Sequence, residues 1–456
     1  MKWINRLIGS VTDKGKELLN AKDPARIKGK YSLQDDCTAL LSYRGDATAL
    51  AMAHQILDRY AASSRDEKIA FFHYLSSDLS PDFEKLSSLA LALSNDNDSN
   101  PETAYKQLQA TLNDGRKTLF ELLNIPGSGT PALVQMRSEL LDLLPTHPEL
   151  SVVDIDLKTT LETWFNRGFL EFKEIDWHTP ADVLEKLIEY EAVHEIKDWA
   201  DLKRRLSGDR ACFAFFHPAL PDDPLIFVQV GFTADISERI DPFLNHAQPV
   251  SDLSAANTAI FYSISNCQTG LRGISFGNFL IKQVVQHIQT ERPHIKYFST
   301  LSPIPGLTRS IDKNYLTEDE LQEIAGPLLI SLQKRYAELS LTELLKDRSD
   351  RLDESHEDTV SFLNELGLYY LTLVKRGSEP YDPVARFHLS NGASIYRINP
   401  FGNRKSYGLK SSAGLMVNYL YDLERVEMNH EEFKQKGTID VHPQLQKSKK
   451  RLRALS

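Results

Sequence analysis

The first candidate for chemistry is Ser302, a hydroxyl at the end of a short strand-like segment. Residues Lys296–Leu301 mix polar and apolar side chains in a way that predicts a β-strand. Pro303 favours an extended Ser302, and Pro305-Gly306 is typical of a turn, so the strand is expected to end in a stiff bend. Loops on rigid scaffolds often carry catalytic residues. A purely structural turn with an unused serine explains the same residues, and the pattern alone leaves both interpretations open.

Two further side chains, His388 and Tyr421, belong to types that transfer protons. His388 lies in YDPVARFHLSNGA, just before Asn391-Gly392, a pair typical of a β-hairpin turn, and Ala393–Ile398 is the expected returning strand. Histidine is the side chain that most often acts as a general acid or base. A single histidine is more often structural, however, and a half-buried core tyrosine explains Tyr421 equally well.

A glycine-rich turn, QTGLRG at 268–273, separates a predicted strand, Thr258–Ile264, from a predicted helix over 277–289. Helix N-termini offer unpaired N–H groups and a positive dipole end, and glycines let the backbone approach an anion closely. A pyrophosphate is therefore a natural ligand, and Arg272 could add a charge-assisted hydrogen bond. A tight turn without any ligand also accounts for Gly270 and Gly273.

Several longer motifs occur together in the second half of the chain. They are FFHPALPDDPL at 215–225, SNCQTGLRG at 265–273, GNFLIKQVV at 277–285, LSPIPG at 301–306, DPVARFHLSNGA at 382–393 and GLMVNY at 414–419. In this order they closely resemble the malonyl-CoA decarboxylase family, from about Arg167 to about Tyr421. Over the first 166 residues the resemblance is weaker and rests on helical character and general layout.

The resemblance implies a carboxy-lyase that converts malonyl-CoA to acetyl-CoA and CO2. It implies that Ser302 accepts a proton or orients the substrate, that His388 donates the proton, and that Tyr421 lies in the active site. It also implies that CoA is bound at the glycine-rich turn. The residues expected to bind CoA are Gln268, Thr269, Gly270, Leu271, Arg272, Gly273 and Ile274.

The implied reaction requires little from a protein beyond hydrogen bonds and one general acid. Loss of CO2 from a malonyl thioester leaves an enolate that the thioester itself delocalises, so no metal or organic cofactor is expected. In agreement, the sequence contains no HExxH, no CxxC and no paired carboxylate motif. Coenzyme A is expected to enter only as part of the substrate.

Two other functions remain open at this stage. A GNAT-type acyl-CoA N-acyltransferase would need a bound amine and a base that deprotonates it. A non-catalytic CoA-binding scaffold would combine a helical interaction domain with an inactive enzyme. The presence of both Ser302 and His388 counts against the scaffold.

The elements around these residues predict an α+β protein with two domains. Residues 1–166 are expected to form an all-helical bundle that packs against the rest or joins subunits, since Ala47–Ala62, Asp66–Leu75 and Pro81–Leu93 have helical periodicity. Residues 167–456 are expected to form a mixed α/β catalytic domain, which the resemblance describes as GNAT-like and acyl-CoA-binding. A homo-oligomer, either a dimer or a tetramer, is expected.

Composition restricts the partners and the compartment. The chain has 456 residues and a net charge of −10, which argues against general nucleic-acid binding. No apolar segment approaches the length of a membrane span, and the N-terminus lacks the features of a signal peptide. Three cysteines, Cys37, Cys212 and Cys267, lie far apart in sequence and favour a reducing compartment. We therefore expect a cytoplasmic protein that binds neither nucleic acid nor membranes.

Overall fold

A computed structural model describes residues 10–17, 31–42, 45–94, 101–113, 115–274, 277–337 and 339–455. The chain forms two compact units. The first comprises Met1–Glu171, Phe216–Leu225 and Asn266–Ile274, and the second comprises Phe172–Phe215, Ile226–Ser265 and Ser275–Ser456. The predicted division has a single boundary at residue 166. Two short segments of the first unit lie beyond that boundary.

The first unit consists of helices packed around an apolar core. Its helices are α1 (Leu33–Ser42), α2 (Asp46–Ala62), α3 (Arg65–Ser77), α4 (Phe83–Ser94), α5 (Pro101–Asn113), α6 (Arg116–Leu123), α7 (Gly129–Leu143) and α8 (Ser151–Trp164). The three helices predicted from periodicity correspond to α2, α3 and α4. Periodic apolar positions such as Ile56, Phe71 and Leu75 are fully buried, which is why the pattern identified these segments.

The second unit is built on a mixed sheet. Its strands are β1 (Glu171–Ile175), β2 (Arg210–Phe216), β3 (Ile226–Thr233), β4 (Thr258–Asn266), β5 (Tyr297–Thr300), β6 (Ser302–Pro303), β9 (Ser394–Asn399) and β10 (Met416–Leu420), beside a small separate pair, β7 (Lys375–Arg376) and β8 (Glu379–Pro380). The strand order is β1-β2-β3-β4-β5-β10-β6, and β9 also pairs with β10. The predicted succession of a helical part and a mixed α/β part is confirmed.

Helices connect and cover these strands. They are α9 (Ala181–Tyr190), α10 (Trp199–Arg205), α11 (Asp241–Leu244), α12 (Gly277–Glu291), α13 (Leu307–Asp312), α14 (Glu318–Ala325), α15 (Leu329–Arg335), α16 (Leu341–Lys346), α17 (Glu357–Thr372), α18 (Pro383–Ser390), α19 (Ser406–Ser412), α20 (Val426–Lys436) and α21 (Gln446–Arg453). In the described residues, no helix is long and apolar enough to cross a membrane.

The centre of the sheet brings distant parts of the chain together. Strands β4 and β5 are parallel, which requires a crossover connection, and α12 supplies it. Strand β10 runs antiparallel to β5 and β6, so Val417 lies opposite Ser302. The backbone N–H of Tyr421 donates to the carbonyl of Phe298 at 2.8 Å. The predicted strand end at Ser302 therefore lies beside the segment that leads to Tyr421.

The hairpin expected around Asn391-Gly392 is wrong. Residues Pro383–Ser390 form the helix α18, and Gly392 follows its C-terminus with a φ of +84°. The Asp382-Pro383 pair explains the difference, because an Asp N-cap followed by Pro at the first helical position is a strong helix start. A glycine with positive φ then ends the helix. The returning strand predicted at Ala393–Ile398 does exist as β9, but its partner is β10.

Candidate active site

Three predicted site residues form one continuous chain of hydrogen bonds in the second unit. The Ser302 Oγ lies 3.1 Å from the His388 Nε2, although 86 positions separate them in sequence. On the other side of the imidazole, the Nδ1 lies 2.8 Å from the Tyr421 hydroxyl. The structure therefore brings together the three side chains that the sequence proposed for catalysis.

Each of these side chains is held by a different element. Ser302 lies on β6, just past the end of β5, and its hydroxyl donates to the Thr300 Oγ1 at 2.9 Å. His388 lies in the last turn of α18, and its ring stacks on Tyr419, with 4.6 Å between ring centroids. Tyr421 follows β10 directly. The strand pairing fixes two of the three residues, and the packing of α18 fixes the third.

Burial controls the protonation of the imidazole. His388 is only 3% exposed, and burial lowers its pKa to about 3, so the ring is neutral near neutral pH. Burial also raises the pKa of Tyr421 well above its ordinary value, so this residue stays a phenol. Since Ser302 donates to Thr300, the consistent arrangement has the Nε2–H donating to Ser302 and the Tyr421 hydroxyl donating to Nδ1.

Asp382 links the segments that carry Ser302 and His388. Its Oδ1 accepts the N–H groups of Val384 and Ala385 at 2.9 Å each, which caps the helix that carries His388. Its Oδ2 accepts the N–H of Gly306 at 3.3 Å, in the turn that follows Ser302. Burial raises the pKa of this carboxyl to about 6, against the lowering effect of those backbone donors.

Sequence reasoning did not identify Thr300, Asp382 or Tyr419. Thr300 could have been found from its spacing, because residues two apart on an extended chain point to the same side as Ser302. Asp382 was visible as a helix cap before Pro383. Tyr419 had no such signal. Its hydroxyl and that of Tyr370 are buried and have no hydrogen-bond partner in the described part of the chain.

The predicted CoA-binding residues lie in the first unit. Thr269–Leu271 form one turn of 3₁₀ helix, in which Gly270 and Leu271 are buried, while Arg272 and Gly273 are exposed. Gln268 is half-buried and donates through its amide to the carbonyl of Pro224 at 3.3 Å. Ile274 is also half-buried, and its N–H donates to the carbonyl of Leu271. The helix start beyond the turn is described only from residue 277 onward.

The two glycines of this turn have different roles. A Cβ on Gly270 would overlap the backbone oxygen of Val134 on α7, so helix packing alone requires glycine there. Gly273 has a φ of +81°, and a Cβ there would lie 3.3 Å from the Cε of Lys158. Arg137 anchors the turn, since its Nη1 donates to the carbonyls of Gly270 and Arg272 at 2.6 and 2.9 Å. Arg272 is exposed, whereas the Nζ of the nearby Lys158 is paired with the Glu162 carboxylate at 3.3 Å.

Comparison with protein families covers both parts of the chain. A family model described as the malonyl-CoA decarboxylase C-terminal domain matches residues 168–455. A second model, described as the malonyl-CoA decarboxylase N-terminal domain, matches residues 79–165.

Two vertebrate proteins named "Malonyl-CoA decarboxylase, mitochondrial" are similar to this chain. The protein of Rattus norvegicus is 38% identical over 348 residues, which cover 72% of this chain and 69% of that protein. The protein of Anser anser anser is 37% identical over 339 residues, which cover 69% of this chain. The chain thus spans 65% of the length of the goose protein, slightly less than two thirds.

Solved structures of bacterial malonyl-CoA decarboxylases are similar over nearly the whole chain. The structure from Rhodopseudomonas palustris matches with a TM-score of 0.81 and 39% identity, covering 91% of this chain and 98% of that chain. The structure from Agrobacterium vitis matches with a TM-score of 0.78 and 40% identity, covering 92% of this chain and all of that chain.

Proposed function

The chain belongs to the malonyl-CoA decarboxylase family, and we propose that it converts malonyl-CoA to acetyl-CoA and CO2 with Ser302, His388 and Tyr421 as the catalytic group. The observation that supports this assignment is the buried hydrogen-bond chain from Ser302 through the imidazole to Tyr421. Protonation of an enolate requires a positioned general acid, and hydrogen bonds on both sides of the His388 ring hold such an acid in place.

The proton for the product comes from His388 in this proposal. The carboxylate of the substrate brings a negative charge close to the buried ring, and an opposite charge nearby favours the protonated form. The ring therefore takes up a proton when the substrate binds. The bond between the carboxylate carbon and the α-carbon then breaks, its electron pair remains on the thioester enolate, and CO2 leaves. The Nε2 proton is transferred to the α-carbon, which gives acetyl-CoA and returns the ring to its neutral form.

Ser302 and Tyr421 hold this acid in place. The Ser302 hydroxyl orients the departing carboxylate or the thioester oxygen, and it lies within hydrogen-bond distance of the Nε2 that delivers the proton. The Tyr421 oxygen can accept from Nδ1–H once the ring is protonated, because a phenol both donates and accepts. No step requires a metal ion, biotin or thiamine, and we propose that the reaction proceeds without them.

We also propose that the turn Gln268–Ile274 binds the pyrophosphate of CoA. The exposed Arg272 supplies positive charge, and Lys158, which is paired with Glu162, lies near Gly273, the residue with positive φ. Three N–H groups of the turn, those of Leu271, Arg272 and Ile274, are already used within it. Side-chain cations therefore contribute more to anion binding here than backbone donors do.

We infer a homo-oligomer in which the first unit contributes to the interface. Helices α4 and α5 expose large apolar side chains, namely Phe83, Leu91, Tyr105 and Leu112. Phe83 is 67% exposed, which is unusual for a phenylalanine at a helix start. Light scattering on the full chain and on a Phe83→Lys variant tests this, and an unchanged subunit number would place the interface elsewhere.

The compartment is proposed from the cysteines. Cys37, Cys212 and Cys267 are all buried and form no disulfide, which fits a reducing compartment such as the cytoplasm. Cell fractionation of the tagged chain tests this placement.

The experiment that tests the main proposal is incubation of the purified chain with malonyl-CoA, in which CO2 and acetyl-CoA are both quantified. Equal amounts of the two products are expected, and in D2O the acetyl group should carry one solvent-derived deuterium. Addition of a primary amine should leave these products unchanged. Formation of a malonyl amide without CO2 would instead indicate an acyltransferase.

A further inference from the structure

A cluster of two imidazoles and one carboxylate lies in the first unit. It consists of His73 on α3 and of His147 and Glu149, which flank Pro148 in the connection from α7 to α8. Each of the three side chains can offer one metal-binding atom, and these atoms all lie within 4.8 Å of one another. The set includes none of the residues proposed to bind CoA or to act on the malonyl group.

Two of the three distances between ligand atoms in this cluster are close to those of a tetrahedral zinc site. The Glu149 Oε1 lies 3.2 Å from the His147 Nδ1 and 3.7 Å from the His73 Nε2. Zinc bonds of roughly 2.0–2.1 Å at tetrahedral angles separate neighbouring ligand atoms by about 3.4 Å. The two observed separations lie on either side of that value. The two imidazole rings are nearly perpendicular, at 83°, with 5.8 Å between their centroids.

The backbone holds the three residues in this arrangement. Helix α3 begins with a capping box formed by Ser64 and Glu67, and the Phe72 next to His73 is fully buried. The N–H of His147 donates to the carbonyl of Leu143 at 2.9 Å. Pro148 starts a 3₁₀ turn that ends at Leu150, which is fully buried. Only small side-chain movements therefore separate the observed geometry from coordination.

We propose that His73, His147 and Glu149 bind one zinc ion through the Nε2, Nδ1 and Oε1 atoms, and that this ion joins α3 to the connection between α7 and α8. Two nitrogen ligands and one carboxylate suit zinc and the other late first-row divalent metals, whereas Mg²⁺ and Ca²⁺ prefer sites made only of oxygen. Three protein ligands leave a fourth position for water. The bound ion stabilises the first unit, because it ties together segments that are 74 positions apart in sequence.

The alternative is an ordinary ion pair in which the Glu149 carboxylate faces two partly exposed histidines. His178 provides a matched control for this alternative. Its Nδ1 lies 3.3 Å from the Asp176 carboxylate, close to the distance between His147 and Glu149, but this pair has no second imidazole. The His178 side chain is 95% exposed, so its replacement should not perturb folding.

Zinc titration of the chelator-treated full chain tests the proposal, with a colorimetric indicator as competitor. Wild type and His178→Gln should each bind one zinc ion per chain. His73→Gln, His147→Gln and Glu149→Gln should each bind zinc at least tenfold more weakly. Cobalt(II) should give wild type the intense d–d absorption of a four-coordinate site, and each of the three variants should lose it. Wild-type stoichiometry and affinity in all three variants would overturn the proposal, as would wild type that binds no zinc.

A second measurement connects the ion to the fold. Zinc should raise the unfolding temperature of wild type and His178→Gln, and it should leave that of Glu149→Gln unchanged. The rate of malonyl-CoA turnover should be the same with and without zinc. An equal rise in all variants would indicate binding at other sites and would contradict the assignment.

Discussion

The Asp382 carboxylate accepts a hydrogen bond from the backbone N–H of Gly306, across 76 positions of sequence. The same carboxylate caps α18, the helix that carries His388, and Gly306 lies in the turn that follows Ser302. One buried side chain therefore fixes the segments that carry Ser302 and His388 relative to each other. Gly306 has no room for a side chain, because a Cβ there would overlap the Tyr370 hydroxyl.

We expect Asp382→Asn to lower kcat more than it changes KM. If the amide oxygen keeps the helix cap, the NH₂ group faces the N–H of Gly306 and cannot accept from it, so the two segments separate slightly. A misplacement of about 1 Å in an active site can reduce the rate by up to roughly a hundredfold. Steady-state kinetics with malonyl-CoA gives this comparison. Ser340→Ala is the control, because it removes a cap at α16, which carries none of the catalytic residues. Equal kinetic effects of the two changes would mean that Asp382 only stabilises the fold.

His388→Asn should lose turnover and retain substrate binding. A positioned general acid contributes roughly a hundredfold to ten-thousandfold in rate. The amide cannot supply the proton, but it fills much of the same buried space. Turnover at saturating malonyl-CoA and the dissociation constant of CoA should be measured together. A rate within a factor of a few of wild type would mean that another group protonates the enolate.

Replacement of Gly273 by valine should weaken CoA binding more than it lowers the turnover of bound substrate. Its φ of +81° is unfavourable for a β-branched residue, so the turn must shift beside Arg272 and Lys158. Binding of CoA by calorimetry and kcat at saturation separate the two effects. Gly270→Ala is a poor substitute, because its collision with the backbone of Val134 would disturb helix packing first. An unchanged dissociation constant for CoA would place the phosphates elsewhere.

The local signals in the sequence predicted most of the scaffold. The Ser/Thr-x-x-Glu pattern occurs at Thr317–Glu320 and Ser340–Glu343, and both segments are capping boxes in the structure. The strand at Lys296–Leu301 was predicted close to its observed bounds, Tyr297–Thr300. Such features depend on residues three or four positions apart, or on alternation along one strand, and a single sequence contains that information.

The features that the sequence analysis did not predict depend on residues that lie farther apart in the chain. An Asn-Gly pair is common both in hairpin turns and at helix C-termini. At Asn391-Gly392 only the Asp382 cap distinguishes a helix end from a hairpin. The neutral state of His388 follows from complete burial by segments that are distant in sequence, which no local pattern reports. The assignment of 216–225 and 266–274 to the first unit likewise follows from tertiary packing.

Decarboxylation should survive exhaustive chelation. The thioester stabilises its own enolate, and the proposed mechanism uses only the proton of His388 and the hydrogen bonds around it. Activity should be measured before and after dialysis against a strong chelator, with the metal content determined in parallel. The His147→Gln variant is the control, since it should lose the proposed zinc ion and keep full turnover. Loss of activity that one specific metal restores would contradict cofactor-free catalysis.

The buried, neutral state of His388 predicts a specific loss of stability in acid. An unfolded histidine has a pKa of about 6.5, whereas burial lowers that of His388 to about 3 in the folded chain. Below about pH 6.5 the unfolded state therefore binds a proton that the folded state does not, so the free energy of unfolding falls as the pH decreases. One such group costs about 1.4 kcal/mol per pH unit, or about 2 kcal/mol between pH 6.5 and pH 5.

Denaturant unfolding gives the free energy of unfolding of wild type and of His388→Asn at pH 6.5 and at pH 5. The difference between the two proteins should change between these pH values by the contribution of His388. His194 is the matched control, because burial and the charges of Arg205 and Lys405 lower its pKa to about 3 as well, and it lies outside the catalytic chain. His194→Gln should show the same reduced sensitivity to acid as His388→Asn while keeping its turnover. If His388→Asn and wild type lose stability in parallel, the folded imidazole takes up its proton over the same pH range as the unfolded one, and burial does not hold it neutral.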